Sequence, residues 1–406
     1  MSFRISLSGM NTASSDLSVT SHNIANANTV GFKQSRAEFG DVFAVSPYGL
    51  AKNAVGAGSR LQRVAQQFNQ GNIDFTGQAL DMGVSGQGFF TLSNNGQTVY
   101  SRAGNFTTDN NGFVVNPSGQ RLQVYAPTGD GRSFNTGKLG DLQLATGDAP
   151  PKVSTKVNVG VTLPGNGAPP TNTPFDATDP TTYTHTTSLT VFDSLGASHS
   201  QALYFTKTGN ANEWTVQTQI DGVDVGGPQT LQYSDTGALI SPAGGNIALP
   251  PHTPPGGAGP MTLSLELGNS VQYGQKFAVS ELTQDGFTTG SLSGISVSAE
   301  GVVQASYSNG VTKPLGQVAL TMFANPQGLQ QAGDNAFSET FESGQPLRGA
   351  AGTSQFGLVQ GGALEASNVD LTEQLVSMIT AQRNFQANAQ MIQTQDQITQ
   401  TVINLR

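Results

Sequence analysis

The sequence predicts a mainly β protein with helical termini, built as nested discontinuous domains: a terminal α-helical coiled-coil pair plus two β-domains, the second inserted in the first. Three observations carry that expectation. Both ends hold heptads, the 300 and more residues between them have almost no helical period, and turn signals crowd that middle. Near the N-terminus the heptad is Phe3, Leu7, Met10, Ser14, Leu17, Ser21 and Ile24. Near the C-terminus it is Leu371, Leu375, Met378, Gln382, Phe385, Ala389, Ile392, Asp396, Thr399 and Ile403. Steps alternating between three and four residues are the spacing of a narrow coiled-coil seam.

The first helix is expected from about Ser2, fading through the Asn-rich stretch 23–28 and ending at Gly31, because Asn competes for backbone bonds and Gly frees the chain. Over 29–75 the pattern is an extended linker or hairpin region, with a tip at Ala54-Val55-Gly56-Ala57-Gly58. Strand signals become dense after Leu80. Phe89–Leu92 runs into Asn94-Asn95-Gly96, a hairpin turn. Asp109-Asn110-Asn111-Gly112 and Pro117-Ser118-Gly119 repeat that logic as an antiparallel meander.

Composition shifts near Ala149-Pro150-Pro151. Val153, Thr155, Val157, Val159, Val161 and Leu163 then alternate as a half-buried strand. Further strands are expected at 188–192, 201–206, 214–220, 286–308 and 316–323. Two Pro-rich loops, 164–180 and 241–260, read as surface or boundary. From about Gly361 the chain reads as polar helix. The simplest nesting assigns 1–28 with 366–406 to the terminal helical domain, 76–148 with 287–365 to the first β-domain, and 149–286 to the inserted one. Insertion of this kind keeps entry and exit points close.

Composition narrows the function classes. Charged residues are only 11% of the chain, against about 25% in ordinary soluble domains, and Gly is 50 of 406. Such surfaces suit packing against other protein. A net charge of −9 argues against nucleic acid. Without Cys there are no disulfides, thiolate nucleophiles or Cys-based metal sites. No apolar run suffices for a transmembrane helix, so no membrane insertion is expected. The N-terminus lacks the apolar stretch of a Sec signal, so export would need another route. The Gly-rich run 83–88 opens no helix and is neither a P-loop nor a dinucleotide fingerprint. The Asp109 turn lacks calcium-loop spacing. His185 and His199 read as solvated strand residues. No catalytic constellation stands out, so no enzyme, cofactor or metal site is expected.

The remaining signal is a set of motifs. Asn23-Ile24-Ala25-Asn26-Ala27-Asn28-Thr29-Val30-Gly31-Phe32-Lys33 resembles the signature that opens the flagellar rod and hook protein family. The block from Thr76, with Gly77, Leu80, Asp81, Gly86, Gly88, Phe89 and Phe90, is similar to that family. So are Ser101-Arg102-Ala103-Gly104-Asn105-Phe106 and the run from Gly362 through Glu365, Asn368 and Asp370 to Asn384. Gly83-Val84 stands where the family often has Ala-Ile.

The resemblance covers the first ~125 and last ~90 residues and implies a structural, self-polymerising subunit. Rod members lack a large central insert, so the insert implies the hook branch, a curved universal joint between rod and filament. The resemblance further implies contacts with the flagellar rod, a hook cap, hook–filament junction proteins and the flagellar type III export apparatus. It implies an extracellular location in the flagellum, a tube lined by the terminal helices, and the insert outermost. A distal rod subunit is the alternative within the family. An extracellular adhesin or carbohydrate-binding β-protein is the alternative from another class, with a secreted hydrolase a weaker third.

The seam itself is poor, because Ser14, Ser21, Gln382, Asp396 and Thr399 interrupt it. Isolated helices of this length are marginal in water. Two readings follow: a private intramolecular hairpin, or tails that order only when neighbouring subunits contribute.

Overall fold

In the computed structural model the described residues are 2–42, 56–129, 131, 133–144 and 147–404. The chain divides into two compact units. One comprises Met1–Thr146, Gly294–Ser306 and Thr312–Arg406; the other comprises Gly147–Ser293 and Tyr307–Val311.

In the first unit, helix α1 spans Ser2–Ala25. It stops where Asn26 turns back, its amide donating to the His22 carbonyl (2.9 Å) and the Thr29 N–H donating to the Asn26 carbonyl (3.1 Å). Helix α2 spans Leu371–Asn404. It starts at the first heptad residue, ten residues later than the polar-helical composition from about Gly361 suggests. Leu358–Gly361 and Ala363–Glu365 are strands instead, paired antiparallel with Met82–Ser85 and Ile73–Phe75. The helix begins where Asp370 Oδ1 accepts from the N–H groups of Thr372 (2.8 Å) and Glu373 (3.1 Å), an N-cap that the helical pattern alone does not locate.

Strands Ser35–Asp41 and Ser59–Gln66 form an antiparallel hairpin beside α1. Ala54 and Val55 of the anticipated tip lie outside the described residues. The body of the unit is a sheet in which strands before the insert pair with strands after it. Val318 sits opposite Val124, Leu320 opposite Phe90, and Phe337 opposite Tyr100. Its core is Met82, Val84, Phe90, Leu92, Phe106, Leu122, Val318, Leu320 and Val359, all buried. The Asn94-Asn95-Gly96 turn forms as the sequence suggests, with φ of 50° at Asn95 and 93° at Gly96, the left-handed pair of a two-residue hairpin loop.

The second unit holds two sheets. Strand Lys156–Pro164 lies parallel to Ser264–Glu266 and Val271–Tyr273 and antiparallel to Ala278–Gln284. Its alternation is as expected: Val157, Val159, Val161 and Leu163 are buried against Leu203, Phe205, Trp214 and Leu265. The other sheet runs through His185–Phe192, Ser198–Lys207 and Glu213–Ile220. The insert is tied at its neck, where the Ala149 N–H donates to the Gly290 carbonyl (2.8 Å) and Lys152 and Phe287 exchange a pair of bonds.

Two expectations fail here. The Pro-rich stretch 241–260 is not only surface loop. Asn246–Ala248 is a strand, and Ile247 and Leu249 are buried, a period-two signal hidden among prolines. His199 is not solvated either. It is buried between two carboxylates, with Nδ1 2.6 Å from Asp221 Oδ2 and Nε2 3.3 Å from Asp193 Oδ2. Both Asp residues are further anchored to backbone: Asp193 accepts from Leu195 and Ala197, Asp221 from Ser200. His185 is half-buried and stacked on Phe277 at 4.5 Å.

Burial opposes a charge on His199, but the hydrogen bonds to Asp221 and Asp193 outweigh it and hold the imidazole above its ordinary value of 6.5. The charged form therefore stabilises the fold fully below that value, and this contribution is lost as pH rises through the raised one. Trp214, the single tryptophan, is fully buried in the same unit and reports its unfolding. Denaturation of the full chain followed by Trp214 fluorescence should show stability falling as pH climbs above 6.5, and His199→Gln should flatten that slope. A wild-type profile with no slope in this window refutes the clamp.

Candidate assembly interface

The two ends of the chain are joined by a buried ionic cluster. Glu365, fully buried, accepts from Lys33 Nζ through Oε1 and from Arg102 Nη1 through Oε2 at 3.3 Å. The Gly71 N–H also donates to Oε1 (3.0 Å), and Lys33 Nζ gives a second hydrogen bond to the Asn69 carbonyl (2.8 Å). Burial lowers the pKa of both Lys33 and Arg102, and Glu365 works against that shift. One carboxylate thus collects the end of the N-terminal motif, the loop of the second motif, and the start of the C-terminal one.

The motif residues around it have separate physical tasks. Asn23 is buried; its Nδ2 donates to the Ser35 carbonyl (2.7 Å) and to Gln374 Oε1 (3.0 Å), while its Oδ1 accepts from the Ser35 N–H (2.8 Å). Thr29 Oγ1 donates to Asn26 Oδ1 (3.1 Å). Gly31 has φ of 66° and donates its N–H to the Glu365 carbonyl (2.8 Å); a Cβ there would lie 2.4 Å from the Ala103 nitrogen, so no side chain fits. Phe32 is buried, and Ala25 is exposed at the last helical position. Asn368, from the C-terminal motif, accepts from the Gln34 N–H (2.7 Å) and donates to the Gln67 carbonyl (2.7 Å).

In the second block, Gly77, Gly86 and Gly88 occupy positive-φ turn positions. Asp81 accepts from Thr76 Oγ1 (2.6 Å), and Leu80 packs on the core that contains Phe90. Phe89 sits edge-to-face with Phe68 (5.5 Å), and the Arg102 guanidinium lies 5.2 Å from its ring centre.

From this anchor α1 and α2 run antiparallel along each other. Asn23 meets Gln374 at one end, and Gly9 meets Asn388 further out, where a Cβ on Gly9 would fall 2.5 Å from Asn388 Oδ1. The residues buried most deeply on the pair are small or polar: Ser6, Ala13, Thr20 and Asn23 on α1, Gln374 and Ala381 on α2. Burial also raises the pKa of the Asp16 carboxyl on α1. The apolar heptad that sequence singled out is not the deeply buried seam. Met10, Leu17, Ile24, Met378, Ala389 and Ile392 are half-buried. Phe3, Leu7, Leu371, Leu375, Phe385 and Ile403 stay exposed, as do Val376, Ile379, Met391 and Ile398, which the heptad omits. Backbones that close at small residues leave their large apolar side chains on the outside.

Removing one partner of a buried pair costs about 3–5 kcal/mol, because an uncompensated charge remains. Lys33→Met should cost that much, since the Glu365–Arg102 contact survives. Glu365→Gln should cost more, because it strands two buried cations. Guanidinium denaturation of the full-length variants tests the order; Glu365→Gln equal to or milder than Lys33→Met refutes the shared-carboxylate arrangement.

Comparison with known proteins follows the same geography. The flagella basal body rod protein profile matches residues 3–33, and the flagellar hook protein FlgE/F/G D1 domain matches 83–166. The flagellar basal body protein FlaE D2 domain matches 162–287, and the flagellar basal body rod FlgEFG protein C-terminal profile matches 360–405. Flagellar hook protein FlgE of Escherichia coli K12 is 41% identical over all of both chains. FlgE of Salmonella typhimurium LT2 is 38% identical, again over all of both. FlgE of Borreliella burgdorferi is 33% identical over 98% of each. The crystal structure of Helicobacter pylori flagellar hook protein FlgE2 superposes with a TM-score of 0.54 at 16% identity, covering 72% of this chain and all of that one, a likeness of fold alone. Full-length identity to hook proteins favours the hook reading over the rod-subunit and adhesin alternatives. The chain belongs to the flagellar hook protein family and is a structural subunit of the bacterial flagellar hook.

Proposed function

We propose that copies of this chain polymerise through their terminal helices into the curved tube that couples rod to filament, with no catalytic step. The observation that carries this reading is the apolar stripe left uncovered when α1 and α2 close on small residues. Ordering a backbone residue costs roughly 1–2 kcal/mol, and a seam of Ser, Thr, Asn and Gln offsets little of that. Neighbouring copies supply the missing burial, so tail ordering and assembly are coupled. Contacts of this kind are heterologous and do not close, which generates a helix.

The division that suits this work is the terminal pair 1–28 with 366–406, the linking region 29–75, the β-domain 76–148 with 287–365, and the insert 149–286. The terminal pair lines the tube, and the insert provides outer contacts that slide between nearly equal packings as the joint bends. The hook lies outside the cell, reached through the flagellar type III export apparatus. It grows under a hook cap and meets the rod below and junction proteins above.

Negative-stain microscopy of purified protein under polymerising conditions should show curved tubes. Leu7→Ser combined with Leu375→Ser should leave the Trp214 unfolding transition intact yet raise the critical concentration at least tenfold, by the loss of two apolar side chains from each subunit interface. Circular dichroism of the monomer should change little on deleting 1–28 and 366–406. A large cooperative helical signal in the intact monomer overturns the coupling of tail order to assembly, and straight rods from the intact chain overturn the hook reading. Removal of 149–286 should give straight or mechanically poor polymers; abolished assembly would overturn the role given to the insert.

A further inference from the structure

Phe341 is fully exposed, at 102% of its free-residue surface, on a turn that cannot yield. Thr340 Oγ1 accepts from the N–H groups of Glu342 (3.2 Å) and Ser343 (3.3 Å), and donates to the Gly328 carbonyl. Ser343 is buried, its Oγ donating to the Thr340 carbonyl (2.8 Å) and accepting from the Thr340 N–H (3.0 Å). Asn325 clasps the turn from outside, donating from Nδ2 to the Glu342 carbonyl (3.0 Å) and from its N–H to the Ser343 carbonyl (3.2 Å). A turn tied this firmly cannot fold its aromatic ring back onto its own chain. The ring forgoes the burial a Phe side chain normally gains on folding.

A receptacle lies at the other end of the same β-hairpin. Strands Gln330–Gly333 and Ala336–Ser338 pair antiparallel, with Gln330 opposite Ser338 at the end that leads to Phe341. At the far end Asp334 and Asn335 make the turn, both at positive φ. Beside that turn opens a cleft of about 360 Å³ lined by His22, Phe32, Asn335, Ala336 and Phe337. A cavity of about 150 Å³ already admits a benzene ring. Its walls are mixed: His22 and Phe32 meet edge-to-face at 5.5 Å, an arrangement that accepts a further ring, while Lys33, Gln66, Gln331 and Asp334 add polar groups around the rim. Asn335 and Phe341 are separated by at most about 20 Å of extended chain.

We propose that Phe341 of one subunit seats in the His22–Phe32–Phe337 cleft of the next copy of this chain. This rests on the polymerising role proposed above and deepens it. Knob and hole are separate patches at opposite ends of one hairpin, as a head-to-tail contact that propagates along a polymer requires. A second copy is the occupant because every subunit of a homopolymer carries both halves. The cleft is lined in part by Phe32 of the N-terminal motif and by His22 of α1, so it includes the end of the helix that meets the β-body.

The test uses the full-length protein. A photoreactive benzoylphenylalanine at position 341 should cross-link between copies in the polymer, to peptides within 22–32 or 331–337, and not in the monomer. Phe341→Ala should melt like the wild type and raise the critical concentration for polymerisation about tenfold. Gln331→Trp, which fills the cleft rim, should give a similar rise, and the double variant should be no worse than either alone. Cross-links to other segments of the neighbour, to a different flagellar protein, or additive effects of the two substitutions overturn the contact. Unchanged assembly of Phe341→Ala while wild type polymerises overturns it too. Failure of the wild type itself to polymerise overturns the underlying reading and this contact together.

Discussion

A single buried carboxylate holds this molecule's ends together. Glu365 is reached by Lys33 from the N-terminal segment and Arg102 from the β-body, and each would be costly to bury alone. A buried ion triad adds little net stability compared with apolar packing, but it tolerates few alternative arrangements. The helices that spring from either side of it therefore leave the body from a set origin and in a set direction. That matters for a part that must transmit torque: flexibility at the helix roots would be lost motion.

The helix pair then follows a rule opposite to that of an ordinary hairpin. Large side chains usually close a private seam and polar ones face water. Here Gly9 closes on Asn388, Ala13 and Ala381 are buried, and Leu7 and Leu375 are left outside. An obligate polymer resolves the contradiction, because its subunit is only part of the structure that its sequence encodes. The insert obeys conventional rules, with a core of Val157, Val159, Leu203, Phe205 and Trp214 complete within one unit.

The features legible in sequence were those encoded locally. Turn residues placed the Asn95-Gly96 hairpin, period-two alternation placed the Val157–Leu163 strand, and heptads placed both helices. The motif residues were visible as a pattern but not as a mechanism. Lys33 and Glu365 lie more than 300 positions apart, and nothing local says that they touch. The buried seam is not visible as an apolar period because it is made by Ser6, Ala13 and Thr20, which repeat every seven residues with small side chains. His199 reads as solvated in sequence because its partners, Asp193 and Asp221, are brought to it by turns rather than by a recognisable spacing. Ile247 and Leu249 were hidden by prolines that punctuate a strand without abolishing it.

The neck of the insert has a further consequence for how the chain reaches this state. Strands on either side of 149–290 must find each other across a long detour, which ordinarily slows pairing. The Ala149–Gly290 and Lys152–Phe287 bonds bring the two ends of that detour together as soon as the insert is folded. A loop of about 140 residues is then replaced by a closure only a few residues long, worth about 3 kcal/mol of chain entropy. A segment that returns its own two ends to one place leaves the strands on either side of it in sequence a short closure to make.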